Sequence, residues 1–336
     1  MCAGESYLKQ TVLVIGTGGT ISCMGVDPFD LHDYPFSGKR LSTGELLDRL
    51  CLSFSDIDIV TSGFEPVSST ELGSEFWLAL QFEILQASQH FDNLSGVVVT
   101  HGTATLEESA FALDLLYGSE IPVVFTGAQR PANAISSDAA HNLWSAIKVA
   151  ANPKARGRGV LVVMNGSIFT ACDVSKTDNF ALDAFKAPNS GPVGQVNGQS
   201  VTFRTLPHRC SPSLELRQNK AWPRVDIISS YAGSDGMLVE AAIASGAQGL
   251  VVAGLPPGYA TPDQRRALRA ARENGIVVVM ASRALSGATL PLKQNDIPDL
   301  IGSQRLSPQK SRILLQLALM QTNAIKEIKK LFVQFG

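Results

Sequence analysis

A chain of 336 residues that is 45% apolar and 17% charged has enough apolar surface for one large or two medium domains with true cores. Its formal net charge of -2 carries no field that recruits nucleic acid or an anionic membrane. The five cysteines (Cys2, Cys23, Cys51, Cys172, Cys210) are odd in number, scattered and free of any CxxC pair, which argues against a zinc knuckle or redox dithiol and for bystander thiols in a reducing compartment. Residues 1–10 hold neither an apolar stretch nor a basic flank, so no signal peptide is expected, and no apolar run approaches the roughly 18 residues of a membrane span. A cytoplasmic protein with no membrane or nucleic-acid partner is the expectation.

The first predicted strand is residues 11–15, TVLVI. Similar runs stand at 97–100, Val123–Thr126, Val160–Met164, 249–255 and 276–281. Each is continuously apolar rather than alternating, the pattern of a strand covered on both faces in a parallel sheet. Helical segments alternate with them. At 106–117, Leu106, Ala110, Leu113 and Leu116 share one face, Gly118 follows the end, and Thr105 with Glu108 reads as a T-x-x-E capping box. A second helix at 138–151 stops before Pro153. Asn197-Gly198 reads as a two-residue hairpin turn between Gln195-Val196 and residues 200–203. Residues 206–222, rich in Pro, Ser and charge, read as a linker, and a second strand–helix set follows. The expected fold class is α/β in two domains: residues 1–205 on a larger, doubly wound, mainly parallel sheet, and residues 223–336 as a smaller α/β domain.

Three segments can carry chemistry. Residues 16–21, GTGGTI, follow the first strand, where ligands of open α/β sheets bind. They read either as a glycine-rich turn or as a site with a reactive Thr20; a dinucleotide fingerprint is disfavoured, because Ile21 stands where its last glycine belongs. Residues 100–105, THGTAT, place Thr103 between a strand end and a helix N-terminus, where backbone N–H groups stabilise an oxyanion. His101 beside it is a candidate general base or a packed core histidine, and no HExxH or second nearby histidine supports a metal. Residues 173–178, DVSKTD, are either a solvated polar segment or the seat of a lysine, Lys176, that takes a proton from a threonine hydroxyl if burial lowers its pKa.

In this order, with TGGTI at 17–21, THGTATLEE at 100–108, TGAQRP at 126–131, VSKTD at 174–178 and LSPQKSRILLQL at 306–317, the chain resembles the bacterial L-asparaginase and glutaminase-asparaginase family from residue 11 nearly to its C-terminus. The resemblance implies two α/β domains, a homodimer or homotetramer with shared active sites, a small-molecule amide substrate, and neither metal nor organic cofactor. It implies that Thr20 is the nucleophile of an acyl-enzyme mechanism, Tyr34 the residue that activates it, and Thr103 with Lys176 a second catalytic pair. Ser69, in the segment 69–80 whose Trp77 falls where the family has one, is implied to hold the substrate carboxylate. The backbone at Gly18 and Gly19 is implied to remain open to a carboxylate or carbonyl oxygen.

The chain departs from that pattern at one subsite. Ala104 stands where the family has an aspartate, Thr70 where it often has glutamine, and Pro256-Pro257 where an asparagine enters from a neighbouring subunit. All three family residues contact the α-ammonium of asparagine, and a charge-assisted hydrogen bond is worth roughly 1.5–3 kcal/mol. The expectation is an amidohydrolase whose substrate lacks a free α-ammonium: an N-acylated or decarboxylated amide, a dicarboxylic acid monoamide, a lactam or a cyclic imide. An ordinary L-asparaginase with a rebuilt ammonium site, and a non-catalytic binding protein, are the alternatives. Glu71, Asp173 and Asp178 are the acids available to replace the missing aspartate beside Lys176.

Overall fold

The computed structural model describes residues 9–204, 214 and 221–336, in two compact units that divide between residues 209 and 210. Most of the predicted linker, and Cys2 and Cys210, lie outside the described residues.

The first unit is built on strands β1 (Gln10–Gly18), β2 (Ile57–Val67), β3 (Leu94–Thr100), β4 (Val123–Thr126), β5 (Val160–Met164) and β6 (Ser167–Thr170), with a small ribbon of β7 (Ser175–Lys176) and β8 (Phe185–Lys186), then β9 (Gly194–Asn197) and β10 (Ser200–Phe203). The main sheet runs β10-β9-β6-β5-β4-β3-β1-β2. Its strands β2, β1, β3, β4 and β5 are parallel, and β6, β9 and β10 add on antiparallel. The continuous apolar runs have a direct cause. Leu13, Ile15, Val97 and Val99 face one core, with Leu80, Ile84, Leu106 and Leu113 from helices Ser74–His90 and Leu106–Leu116. Val12, Val14 and Val98 face the other, with Leu46 of helix Thr43–Leu50 and Leu143 and Ile147 of helix Ala139–Ala150. Burying each such side chain contributes roughly 1.5–3 kcal/mol. Trp77 belongs to this packing: its indole N–H donates to Ser109 Oγ at 3.1 Å and ties the two helices of the first face together.

Two local expectations are corrected. The Thr105 capping box does not form: Thr105 has no side-chain capping bond, and its hydroxyl donates instead to the Ser69 carbonyl at 2.8 Å. The boxes that do form are Ser42 with Glu45 and Ser68 with Glu71. The hairpin pairs Asn197 with Ser200, so its loop is Gly198-Gln199, one residue later than expected, with Gly198 supplying the positive φ of 50°.

The second unit holds β11 (Val225–Ser229), β12 (Gly249–Gly254), β13 (Val277–Ser282) and β14 (Ile301–Gly302) as a parallel sheet in that order. Val252, Val278 and Leu268 of helix Pro262–Glu273 lie in its core. Fully buried Leu314 and Leu315 come from helix Pro308–Gln321, which starts at Ser307, whose hydroxyl accepts from the Lys310 N–H. Among the described residues no helix is long and apolar enough to cross a membrane.

Candidate active site

The carboxyl ends of β1, β2 and β3 meet in the first unit. At the end of β1 the chain turns through Gly18 and Gly19, at φ 101° and 80°, into the short helical turn Thr20–Ser22. No side chain fits there: a Cβ on Gly19 would lie 2.2 Å from Gly102 Cα. A Cβ on Gly102 would in turn lie 2.7 Å from Ser69 Oγ. The loop after β1 therefore rests directly on the loop after β3, and that loop on the turn after β2, with the Thr105–Ser69 bond closing the contact. We expect Gly19→Ala to lower turnover by roughly 100-fold or more, because displacing a reacting group by about 1 Å costs that much. A drop in melting temperature should accompany it, since a non-glycine residue at positive φ adds about 1–2 kcal/mol of strain. Wild-type kinetics in that variant would show that the backbone contact does not position Thr20.

These loops enclose a cavity of about 240 Å³, a volume for a small molecule, which Thr20, Tyr34, Ser69, Thr103, Ala104 and Lys176 all line. Two hydroxyl centres face it. Thr20 Oγ1 is 2.8 Å from Tyr34 Oη, and burial pushes the Tyr34 phenol above its ordinary pKa, so it stays protonated. Lys176 Nζ donates to Thr103 Oγ1 at 2.8 Å and to Gln129 Oε1 at 3.1 Å. Burial pulls the Lys176 pKa below its usual value, and the nearby Asp178 charge opposes that shift. An amine whose charge is disfavoured, bonded to a hydroxyl, can accept that hydroxyl's proton.

Other sequence candidates are placed elsewhere. Thr70 is exposed, shares a 2.8 Å hydrogen bond with Ser68 Oγ, and does not line the cavity. Glu71 is exposed and accepts from the Ser68 N–H as part of the capping box. Asp173 accepts from Asn189 at 3.1 Å and from the Ser190 hydroxyl. Asp178 accepts two backbone N–H groups, from Phe180 and Ala181, at 2.8 Å each, and acts on Lys176 only through its charge. Of the three acids it alone influences Lys176. His101 is wholly buried between the rings of Phe76 and Phe125, its Nδ1–H donates to the Gly102 carbonyl at 2.8 Å, and desolvation lowers its pKa to about 4. It lies outside the cavity lining and is a packed, neutral core residue.

The residue that bonds Lys176 was missed as a functional residue, although it sits in the TGAQRP motif. Gln129 is fixed by its backbone N–H, which donates to both Asp138 oxygens at 3.1 and 3.0 Å. Asp138 also takes the Asn142 amide at 2.9 Å, so its carboxylate organises this loop rather than capping the helix that follows. Arg40 and Cys23, also absent from the sequence candidates, line the same cavity. Among the described residues no group of three or more His, Cys, Asp or Glu is placed to hold a metal ion.

Comparison with known proteins matches residues 11–209 to the family "Asparaginase, N-terminal" and residues 224–332 to "Glutaminase/Asparaginase C-terminal domain". The chain belongs to the asparaginase family. It is 34% identical to L-asparaginase 2 of Bacillus subtilis, over 99% of this chain and 88% of that protein. It is also 34% identical to the Probable L-asparaginase periplasmic of Haemophilus influenzae, over 96% of this chain and 93% of that one. Among solved structures it is similar to the crystal structure of the Probable Cytoplasmic L-asparaginase from Campylobacter jejuni, with a TM-score of 0.90, 31% identity, and coverage of 97% of this chain and 100% of that chain. The chain is thus an asparaginase-family amidohydrolase, an enzyme acting on carbon–nitrogen bonds other than peptide bonds.

Proposed function

We propose that this asparaginase-family enzyme hydrolyses an amide whose acyl portion lacks the free α-ammonium of asparagine, using Thr20 as nucleophile. The observation that carries this reading is the charge of the cavity: its lining includes the cation Arg40 and the amine Lys176, and no carboxylate, with exposed Ala104 in the place of the family aspartate. An ammonium there meets positive charge and a methyl group, and desolvating it without an anionic partner is costly.

In this mechanism Thr20 Oγ1 adds to the amide carbonyl while its proton moves through Tyr34 Oη. The C–N bond then breaks as the leaving nitrogen gains a proton, which leaves an ester on Thr20. Water cleaves that ester, with Thr103 and neutral Lys176 as the proton acceptor, and Gln129 holds the amine in place. A lactam or cyclic imide opens by the same bond changes.

The test compares kcat/KM for succinamate and L-asparagine, since discrimination lives in that ratio. The expected preference for succinamate is roughly 10-fold or more, the worth of one charge-assisted hydrogen bond. Ala104→Asp should move the ratio toward asparagine. Asparagine turned over at least as efficiently as every amide, lactam and imide lacking the ammonium sinks the proposal.

A second reading, hydrolysis of L-asparagine itself, is favoured by the names of the relatives. It requires an anion from outside the cavity lining to reach the ammonium. We propose a dimer or tetramer with shared sites, in which residues 255–259 of one subunit approach a neighbour's cavity; sedimentation of a fully active monomer contradicts it. The same resemblance, to a chain named as cytoplasmic, supports a cytoplasmic setting.

A further inference from the structure

Arg40 is a residue that neither the motifs nor the mechanism above uses. It lies in the bridge that pairs Cys23 with Arg40 beside the turn that carries Thr20. Its Nη1 donates to the Pro66 carbonyl at 3.2 Å, three residues before Ser69, and it lines the cavity with Thr20, Ser69 and Lys176. Among the described residues Arg40 forms no ion pair.

Glu45, Glu71 and Asp30 are committed elsewhere. Glu45 pairs with Lys39 at 2.6 Å and caps its own helix, and Glu71 accepts from Ser68. Asp30 accepts from the N–H groups of Val26 at 3.2 Å and Asp33 at 3.0 Å. The Cys23 thiol beside Arg40 is pushed up by burial and stays uncharged. A guanidinium has five N–H donors in a planar fork that matches a carboxylate, and the Pro66 carbonyl with the Cys23 sulfur engages only part of it. What remains is a cation with no ion-pair partner among the described residues, lining the same cavity as Ser69.

We infer that Arg40 is a specificity-determining residue that binds a carboxylate of the substrate, so that among amides lacking the ammonium the site takes carboxylate-bearing ones, of the succinamate type, ahead of neutral amides, lactams and imides. This rests on the proposed function and narrows it. Together Ser69 and Arg40 supply a hydroxyl and a charge to one anionic group, while Thr20 and Thr103 face the carbonyl to be attacked. A mere anchor for the loop on Pro66 would act alike on charged and neutral ligands, and that difference is what the experiment reads.

The experiment measures binding of succinate and of the neutral diamide succinamide to the full chain by calorimetry, in wild type, Arg40→Gln and Arg40→Lys, with thermal melting of each variant. For Arg40→Gln at low salt the expected result is succinate binding weakened by roughly 10-fold or more, with succinamide changed less than twofold. Arg40→Lys should recover part of the loss, because it restores the charge without the fork. In wild type, raising salt should weaken succinate but not succinamide, because Arg40 is exposed and its field is screened. Salt-insensitive succinate binding in wild type overturns the inference even if a variant fails to fold. No succinate binding to wild type, salt-insensitive succinate binding, unchanged affinity in Arg40→Gln, or equal losses for both ligands overturns the inference. Failure of the broader reading shows differently, as a preference for asparagine over succinamate, two substrates that both carry the carboxylate.

Discussion

Thr20→Ala should lower turnover by roughly 10³-fold or more on whichever amide the enzyme takes, the scale of loss when a covalent nucleophile is removed. The fold should survive. Thr20 is only partly buried, its side chain makes a single hydrogen bond, to Tyr34, and that phenol still faces the cavity when the threonine is gone. The lost bond is worth about 0.5–1.5 kcal/mol, a melting shift small beside the kinetic effect. Thr20→Ser keeps the hydroxyl and should fall between. Thr103→Ala should be nearly as severe, and the double variant no worse than the worse single one, because residues that act as a unit give non-additive losses. Mass spectrometry of a slowly cleaved substrate should find the acyl group on residue 20. A near-normal rate in Thr20→Ala, with the wild-type melting temperature, would falsify the threonine mechanism and leave activation of water by Lys176 as the surviving route.

What could be read from the residues, and what could not, follows from where each one gets its role. Strands β1, β3, β4 and β5 were legible because two cores take alternate residues of each, so their central residues are apolar without a break. β2 was not. It is an edge strand with Asp58, Thr61, Ser62, Glu65 and Pro66 among its residues, and of its eleven residues only Ile57 is buried. Its polar surface and terminal proline look like a loop until β1 pairs with it. In the site, the glycine-flanked Thr20 and Thr103 stood out at strand ends, but their own residues left a turn or a cap open, and Lys176 read equally as part of a solvated segment; the family resemblance is what singled out all three. Gln129 was not, because its partner Lys176 lies 47 residues away and no local pattern records that meeting. The same holds for Arg40, whose anchor at Pro66 is 26 residues distant. The choice among Glu71, Asp173 and Asp178 was equally closed to sequence, since the first two are acids of the right type whose lone pairs are taken by Ser68, Asn189 and Ser190. Thr105 shows the reverse failure. Its spacing to Glu108 satisfies the capping rule, but a long-range acceptor, the Ser69 carbonyl, wins its hydroxyl.

Lys176→Met is expected to cost roughly 10²–10⁴-fold in kcat, the range for losing a positioned proton-transfer group, while the chain length and much of the side-chain volume are retained. The pH profile carries the stronger test. Lys176 works as a proton acceptor only when neutral, so the rate should climb with pH and level off above its pKa. Burial places that pKa below 10.5, so the activating limb should lie on the acid side of an ordinary lysine. Asp178 opposes the shift, because its negative charge favours the ammonium. Asp178→Asn removes that charge, the pKa of Lys176 falls further, and the limb should move to lower pH. Asp178 is exposed, so the displacement should shrink as salt rises. Gln129→Leu leaves the charges unchanged but removes the acceptor that holds Nζ at 3.1 Å; it should lower kcat without the shift produced by Asp178→Asn. A limb that moves to higher pH in Asp178→Asn, or a flat wild-type profile with Lys176→Met still active, removes Lys176 from the proton transfer and leaves its bond to Thr103 a structural contact.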